Sequence, residues 1–125
     1  MSTNINNLDP VFGLDWTKMN GKIIAIAQDA ATRQVLMVGV MTKRAFAKTL
    51  ATGLVTFWSR SRKCLWTKGE TSGNYLKVRE IRVDCDCDSL LIMADSVGPT
   101  CHTGAESCFE EVDGQPKIYE VEEVR

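Results

Sequence analysis

The ten residues Val83–Ile92, VDCDCDSLLI, constrain this chain more than any others. Three aspartates alternate with two cysteines, and the apolar run Leu90-Leu91-Ile92 follows one residue later. Period-two alternation is the pattern of a half-buried strand. Such a strand puts Asp84, Asp86 and Asp88 on one face and Cys85 and Cys87 on the other. On an ideal strand, residues i and i+2 lie about 6.6 Å apart and i and i+4 about 13 Å apart. Three carboxylates so spaced cannot meet one ion at oxygen distances near ~2.1 Å. The chain is therefore expected to bend at Cys85–Asp88, as a bulge or strand end allows. Once bent, the carboxylates suit Mg²⁺ or a similar hard cation. Three exposed acids on a surface strand is the plainer reading, and like-charge repulsion counts against it. A calcium loop is excluded: Asp84, Asp86, Asp88 and Asp95 match EF-hand ligand positions, but Ser89 stands where glycine is required and a strand-like run follows.

Around this segment the pattern alternates strands with one helix. Lys22–Gln28 and Val35–Met41 read as two strands joined by the polar stretch Asp29–Gln34. Thr42 is a fitting N-cap and Gly53 a fitting C-terminal stop for a helix whose face carries Ala45, Phe46, Thr49 and Leu50. Leu54–Trp58 reads as a third strand, Leu65–Gly73 as a loop, Tyr75–Cys85 and Ser89–Asp95 as further strands, and Gly98-Pro99 as a turn. Residues 1–20 read as an irregular or partly helical lead-in, with Asp9-Pro10 as a turn and Trp16 as an anchor. Cys101–Cys108 reads as a loop or short helix, and Lys117–Val124 alternates like an edge strand. The expected fold class is β-rich α+β.

At 125 residues the chain is expected to be a single domain, 1–125. Its 44% hydrophobic and 25% charged content are those of a globular protein. A net charge of −1 argues against a nucleic-acid partner held by bulk positive charge. The N-terminus has no basic, apolar leader pattern, and the apolar runs VLMVGVM and LLIMA are strand-length, so no membrane partner and a cytoplasmic location are expected.

Five cysteines in a reducing compartment point to metal or catalysis rather than disulfides. The plain alternative is five small buried hydrophobes. Soft thiolates select zinc, and three protein ligands plus water is the catalytic arrangement. Cys101 and Cys108 flank the only histidine, His102, and either Cys85 or Cys87 could supply a third ligand. His102 is either an ordinary surface imidazole or a proton-transfer group, for which a pKa of about 6.5 is suited. Ser59-Arg60-Ser61-Arg62-Lys63 is the one dense basic patch. As a strand continuation it would point Arg60 and Arg62 the same way, toward a phosphate or simply into solvent. Lys68–Gly73, KGETSG, has the glycines and hydroxyls of a phosphate-cradling loop without the Walker order.

Taken together, FWSRSR at 57–62, LWTKGETSGNYLKV at 65–78, DCDCDSLL at 84–91 and GPTCHTGAESCF at 98–109 resemble the phosphoribosyl-AMP cyclohydrolases of histidine biosynthesis. The resemblance covers essentially the whole chain. It implies a compact mixed or antiparallel, pseudobarrel-like sheet with one main helix in an intertwined homodimer. It implies hydrolysis of the N1–C6 bond of the adenine ring in N1-(5-phosphoribosyl)-AMP, with Zn²⁺ and Mg²⁺ as cofactors. Carried onto this chain, Cys85 from one subunit and Cys101 and Cys108 from the other hold zinc, which acidifies the attacking water. Asp84, Asp86 and Asp88 hold Mg²⁺. His102 is expected to move protons, and Arg60, Arg62, Lys68, Glu70, Thr71 and Ser72 to contact the substrate.

Position 87 is commonly not cysteine in that family, so Cys87 is expected to be a strand thiol and Cys64 structural. Only 17 residues follow Cys108, so a monofunctional form without a fused pyrophosphohydrolase domain is expected. The competing reading is a zinc-stabilised interaction module without chemistry, which would close the site with four protein ligands. A zinc base deaminase is disfavoured because its H-x-E…P-C-x-x-C signature is absent.

Overall fold

The structure, a computed structural model, describes residues 13–110, 113 and 115–121. Six strands, at Lys22–Asp29 (β1), Val35–Thr42 (β2), Thr56–Ser59 (β3), Cys64–Thr67 (β4), Leu76–Val83 (β5) and Ser89–Ser96 (β6), form one sheet in the order β4-β3-β2-β1-β6-β5. Strand β1 (Lys22–Asp29) turns Ile23, Ala25 and Ala27 inward with no exposure, as its alternation requires. It pairs antiparallel with β2 (Val35–Thr42), from Lys22 opposite Thr42 to Ala27 opposite Met37, with a bulge at Ala27–Gln28. On its other side β1 pairs in parallel with β6 (Ser89–Ser96), so the sheet is mixed. Strand β5 (Leu76–Val83) lies antiparallel to β6.

Helix α1 (Lys43–Thr52) begins and ends where the local chemistry places it. Thr42 Oγ1 accepts the Ala45 N–H at 3.2 Å, and Gly53, at φ 73°, donates its N–H to Thr49 O. The helix buries Ala45, Phe46 and Thr49. Thr49 is a polar link between layers, because its hydroxyl donates to Ala45 O and accepts the Thr56 N–H at 3.0 Å. Phe46 packs with Trp16, the expected anchor, their ring centroids 6.1 Å apart. The core joins Ile23, Leu36, Met41, Phe46, Val55, Leu76, Leu90 and Ile92.

Several boundaries differ from the sequence expectation. Strand β3 runs Thr56–Ser59, and Leu65–Thr67, expected as the start of a loop, belongs to strand β4 (Cys64–Thr67). The two form a hairpin held by a Phe57–Trp66 stack and by the Thr56 and Thr67 hydroxyls, 2.9 Å apart. Arg60–Lys63 is therefore the hairpin turn, not a strand continuation, and Lys63 adopts φ 53° there. Leu54, expected in β3, instead bridges to Lys77, and Val55 N–H donates to Leu76 O. That contact ties the chain ahead of β3 to β5 at the far side of the sheet, which curls it into a half-barrel. The expected β-rich α+β architecture holds. The Lys117–Val124 strand does not form over its described part, 117–121, which pairs with none of the six strands, and Tyr119 is 99% exposed. The Asp9-Pro10 turn lies outside the described residues.

Candidate active site

The VDCDCD segment leaves strand geometry at Asp84 and re-enters it at Ser89. Asp84 makes the bend: its Oδ1 accepts the N–H groups of Asp88 at 2.9 Å and Ser89 at 3.0 Å, and its carbonyl accepts the Cys87 N–H. Cys87 occupies the left-handed region at φ 59°, so it is a turn residue rather than the expected strand thiol. The bend brings one ligand oxygen from each of Asp84, Asp86 and Asp88 within 4.8 Å of the others. Partial desolvation pushes the Asp84 pKa upward, but the Asp88 and Ser89 backbone donors and the Lys18 charge outweigh it, and the carboxyl titrates below its ordinary value. Three converging carboxylates are a hard-donor set that fits Mg²⁺. Lys18, which the sequence did not single out, reaches this turn, its Nζ 3.3 Å from Asp88 Oδ2.

The GPTCHTGAESC segment folds into a compact loop. Cys101 N–H donates to Ala105 O, and Gly104 N–H returns to Cys101 O. Ser107, 1% exposed, donates its hydroxyl to Val35 O at 2.7 Å, and Cys108 N–H donates to Leu36 O at 2.8 Å. The loop is thereby fixed to the start of β2. Partial desolvation pushes the Cys108 thiol pKa up, and its neighbour Cys101, which shares a hydrogen bond with it, adds to the rise. Thr103 Oγ1 donates to Cys101 Sγ at 3.1 Å. Two adjacent thiols with an open approach are a soft-donor pair that fits part of a zinc shell. None of the five cysteines is buried, which removes the reading of them as core hydrophobes.

The Lys68 loop meets the thiol loop. Gly69 stands at φ 94°, where an added Cβ would fall 2.5 Å from Asn74 C and Tyr75 N, so only glycine fits. Glu70 Oε1 accepts the Thr67 N–H at 2.7 Å, which turns this carboxylate toward its own loop. Lys68 is 6% exposed; burial lowers its ammonium pKa, while Cys108 and Cys101 beside it pull the other way. Lys68, Thr71, Ser72, Cys101 and His102 line one cavity of about 360 Å³. Cys101 and His102 also line a second, of about 360 Å³, with Cys108 and Lys117. The single histidine and one thiol thus line both hollows.

Not every expected residue joins them. Arg60 lies on the β3–β4 turn and borders a separate hollow with Val38 and Trp58, and Arg62 lies in the same turn. Cys85 lies in the acidic turn before β6, whereas the thiol loop follows β6. The eight-residue strand between them is about 23 Å long at roughly 3.3 Å per residue. The registers agree: Ile24, near the start of β1, binds Asp88 O, while Val35 and Leu36, opposite the end of β1, bind the thiol loop. Among the described residues, Asp84, Asp86 and Asp88 are the one set of three or more ligand atoms gathered within a single chain.

Comparison with known proteins identifies the fold's relatives. Residues 37–110, more than half the chain, match the phosphoribosyl-AMP cyclohydrolase family. The chain is 59% identical to the phosphoribosyl-AMP cyclohydrolase of Lacticaseibacillus casei over 96 residues, 77% of this chain and 87% of that protein. It is 50% identical to the phosphoribosyl-AMP cyclohydrolase of Methanosarcina barkeri over 124 residues, covering 94% and 95% of the two. It is 55% identical over 106 residues to the histidine biosynthesis bifunctional protein of Bacteroides thetaiotaomicron, and so spans about half of that longer relative, 52%, while 85% of this chain is covered. The loops that carry the thiols, the histidine, the carboxylates and Lys68 all lie within the matched residues, and the chain belongs to the phosphoribosyl-AMP cyclohydrolase family of hydrolases.

Proposed function

We propose that this chain opens the adenine ring of N1-(5-phosphoribosyl)-AMP at the N1–C6 bond, in histidine biosynthesis, at a zinc site shared between two copies. The observation that carries the reading is the cavity where Lys68, Thr71 and Ser72 face Cys101 and His102. An ammonium and hydroxyls suited to a phosphate there line the same hollow as a thiol suited to a soft metal and an imidazole suited to proton transfer. Alkylation at N1 leaves C6 electron-poor. Water adds across the bond: its oxygen joins C6, which becomes the carboxamide carbonyl, and N1 departs carrying a proton.

Cys101 and Cys108 of one copy and Cys85 of another would hold the zinc, and the separation of Cys85 from the other two along β6 supports this division. Zinc held there would supply an acidified water at neutral pH. His102 takes a proton from the attacking water at an imidazole nitrogen and returns it to N1 as the ring opens. Asp84, Asp86 and Asp88 would hold Mg²⁺. Lys68, Thr71 and Ser72 bind one phosphoribosyl arm, Glu70 shapes their loop, and Arg60 and Arg62 meet the other arm from the hairpin turn. Fixing both arms holds C6 in the attack geometry, an effect worth several kcal/mol.

Ring opening followed by ultraviolet absorbance, with and without a chelator, tests the proposal on wild type and Cys101→Ala. Turnover that needs zinc and disappears in Cys101→Ala is expected. Robust turnover by metal-free Cys101→Ala protein contradicts it.

A further inference from the structure

Residues 14–20 form a strap over the acidic turn. Asp15 N–H donates to Cys87 O at 2.7 Å, and Trp16, 8% exposed, is packed against Phe46. Thr17 N–H donates to Asp15 Oδ1, and Gly21 N–H closes back on Trp16 O at 2.8 Å. With both ends fixed, the strap aims Lys18 at the carboxylates, where its Nζ stands 3.3 Å from Asp88 Oδ2. Lys18 lies outside residues 37–110, the span that defines the family match.

We propose that Lys18 is the acidic turn's internal counter-ion, which a divalent cation bound by Asp84, Asp86 and Asp88 displaces. The inference rests on the reading of that turn as a cation site. Three carboxylates within 4.8 Å repel one another, and a tethered ammonium relieves part of that repulsion when no metal is bound. A cation entering between the carboxylates needs an oxygen of Asp88, the residue that Lys18 engages. Lys18 can yield: its side chain is 46% exposed, so the ion pair is weak, and its four-carbon stem swings freely. Lys18 thereby competes with the cation and weakens its binding.

The test is calorimetric titration of MgCl2 into the full chain, with melting temperatures recorded with and without Mg²⁺. It compares wild type, Lys18→Met, Lys18→Gln and Asp86→Asn. Both Lys18 variants are expected to bind Mg²⁺ roughly two- to fivefold more tightly than wild type, the range of an exposed ion pair. They are expected to melt lower than wild type without Mg²⁺ and to gain more on its addition. An Mg²⁺ affinity that is unchanged or reduced in the Lys18 variants, while Asp86→Asn abolishes binding, overturns the role of Lys18 alone. Absence of any Mg²⁺ binding that Asp86→Asn removes overturns the cation site and the inference together.

Discussion

The Cys108 N–H donates to the carbonyl of Leu36 over 2.8 Å, so the residues expected to hold a metal are fixed to the first turn-proximal residues of a central strand. A site on a loop gains precision from such attachment to rigid structure. Ser107 strengthens it: its buried hydroxyl donates to Val35 O and accepts the Phe109 N–H. Ser107→Ala leaves those groups without their partner and should cost about 1–2 kcal/mol of stability. Urea unfolding checks this, with a lower midpoint at unchanged slope expected. Zinc should also dissociate from the variant at lower chelator concentration.

Gly69→Ala should separate substrate binding from metal binding. The new Cβ would meet the Asn74–Tyr75 backbone at φ 94°, so the Lys68–Gly73 loop must shift at a cost of roughly 1–3 kcal/mol. The thiol loop is a separate unit with its own hydrogen bonds. A raised KM with unaltered zinc content is expected from steady-state kinetics and metal analysis.

Acid stability should depend on Asp29. Its carboxyl titrates below the ordinary value of 3.8, chiefly because the Thr32 N–H donates to it, with burial opposing and Ala31 assisting. A depressed pKa stabilises the fold at pH above the ordinary value. That contribution is lost as pH falls through 3.8 to the lower folded-state value. Asp29→Asn should therefore be less stable than wild type near neutrality, and the two should converge as pH drops through this window. Melting temperatures between neutral pH and pH 3 check the convergence, about where carboxylates protonate.

Local signals carried much of this fold in the sequence. Thr42 and Gly53 bracket α1 because a cap is a short-range hydrogen-bond problem. The bend at Cys85–Asp88 followed from strand geometry and the distance limits on a shared ion, and Asp84 braces it. Strand β4 was hidden because its hairpin turn, Arg60–Lys63, contains none of the glycine or asparagine that usually marks one. The tail illustrates the reverse: Lys117–Val121 alternates like a strand, but alternation forms no ladder without a neighbour. Lys18 was illegible as a site residue, and so was the burial of Lys68, itself expected as a substrate contact, for another reason. A lysine in a polar stretch reads as solvated, and only the tertiary fold brings Lys18 to Asp88, seventy positions away, or buries Lys68 beside two thiols.

Subunit mixing tests the proposed two-copy site most directly. Cys85→Ser and Cys101→Ser should each be inactive as pure proteins, because each lacks one ligand at every site. In a mixed dimer one site collects both substitutions and the other collects neither. After one-to-one mixing with subunit exchange verified by native mass spectrometry, about a quarter of wild-type turnover should return, since random exchange makes half the dimers mixed. Verified exchange with no activity above that of the separate variants would contradict a centre built from two copies.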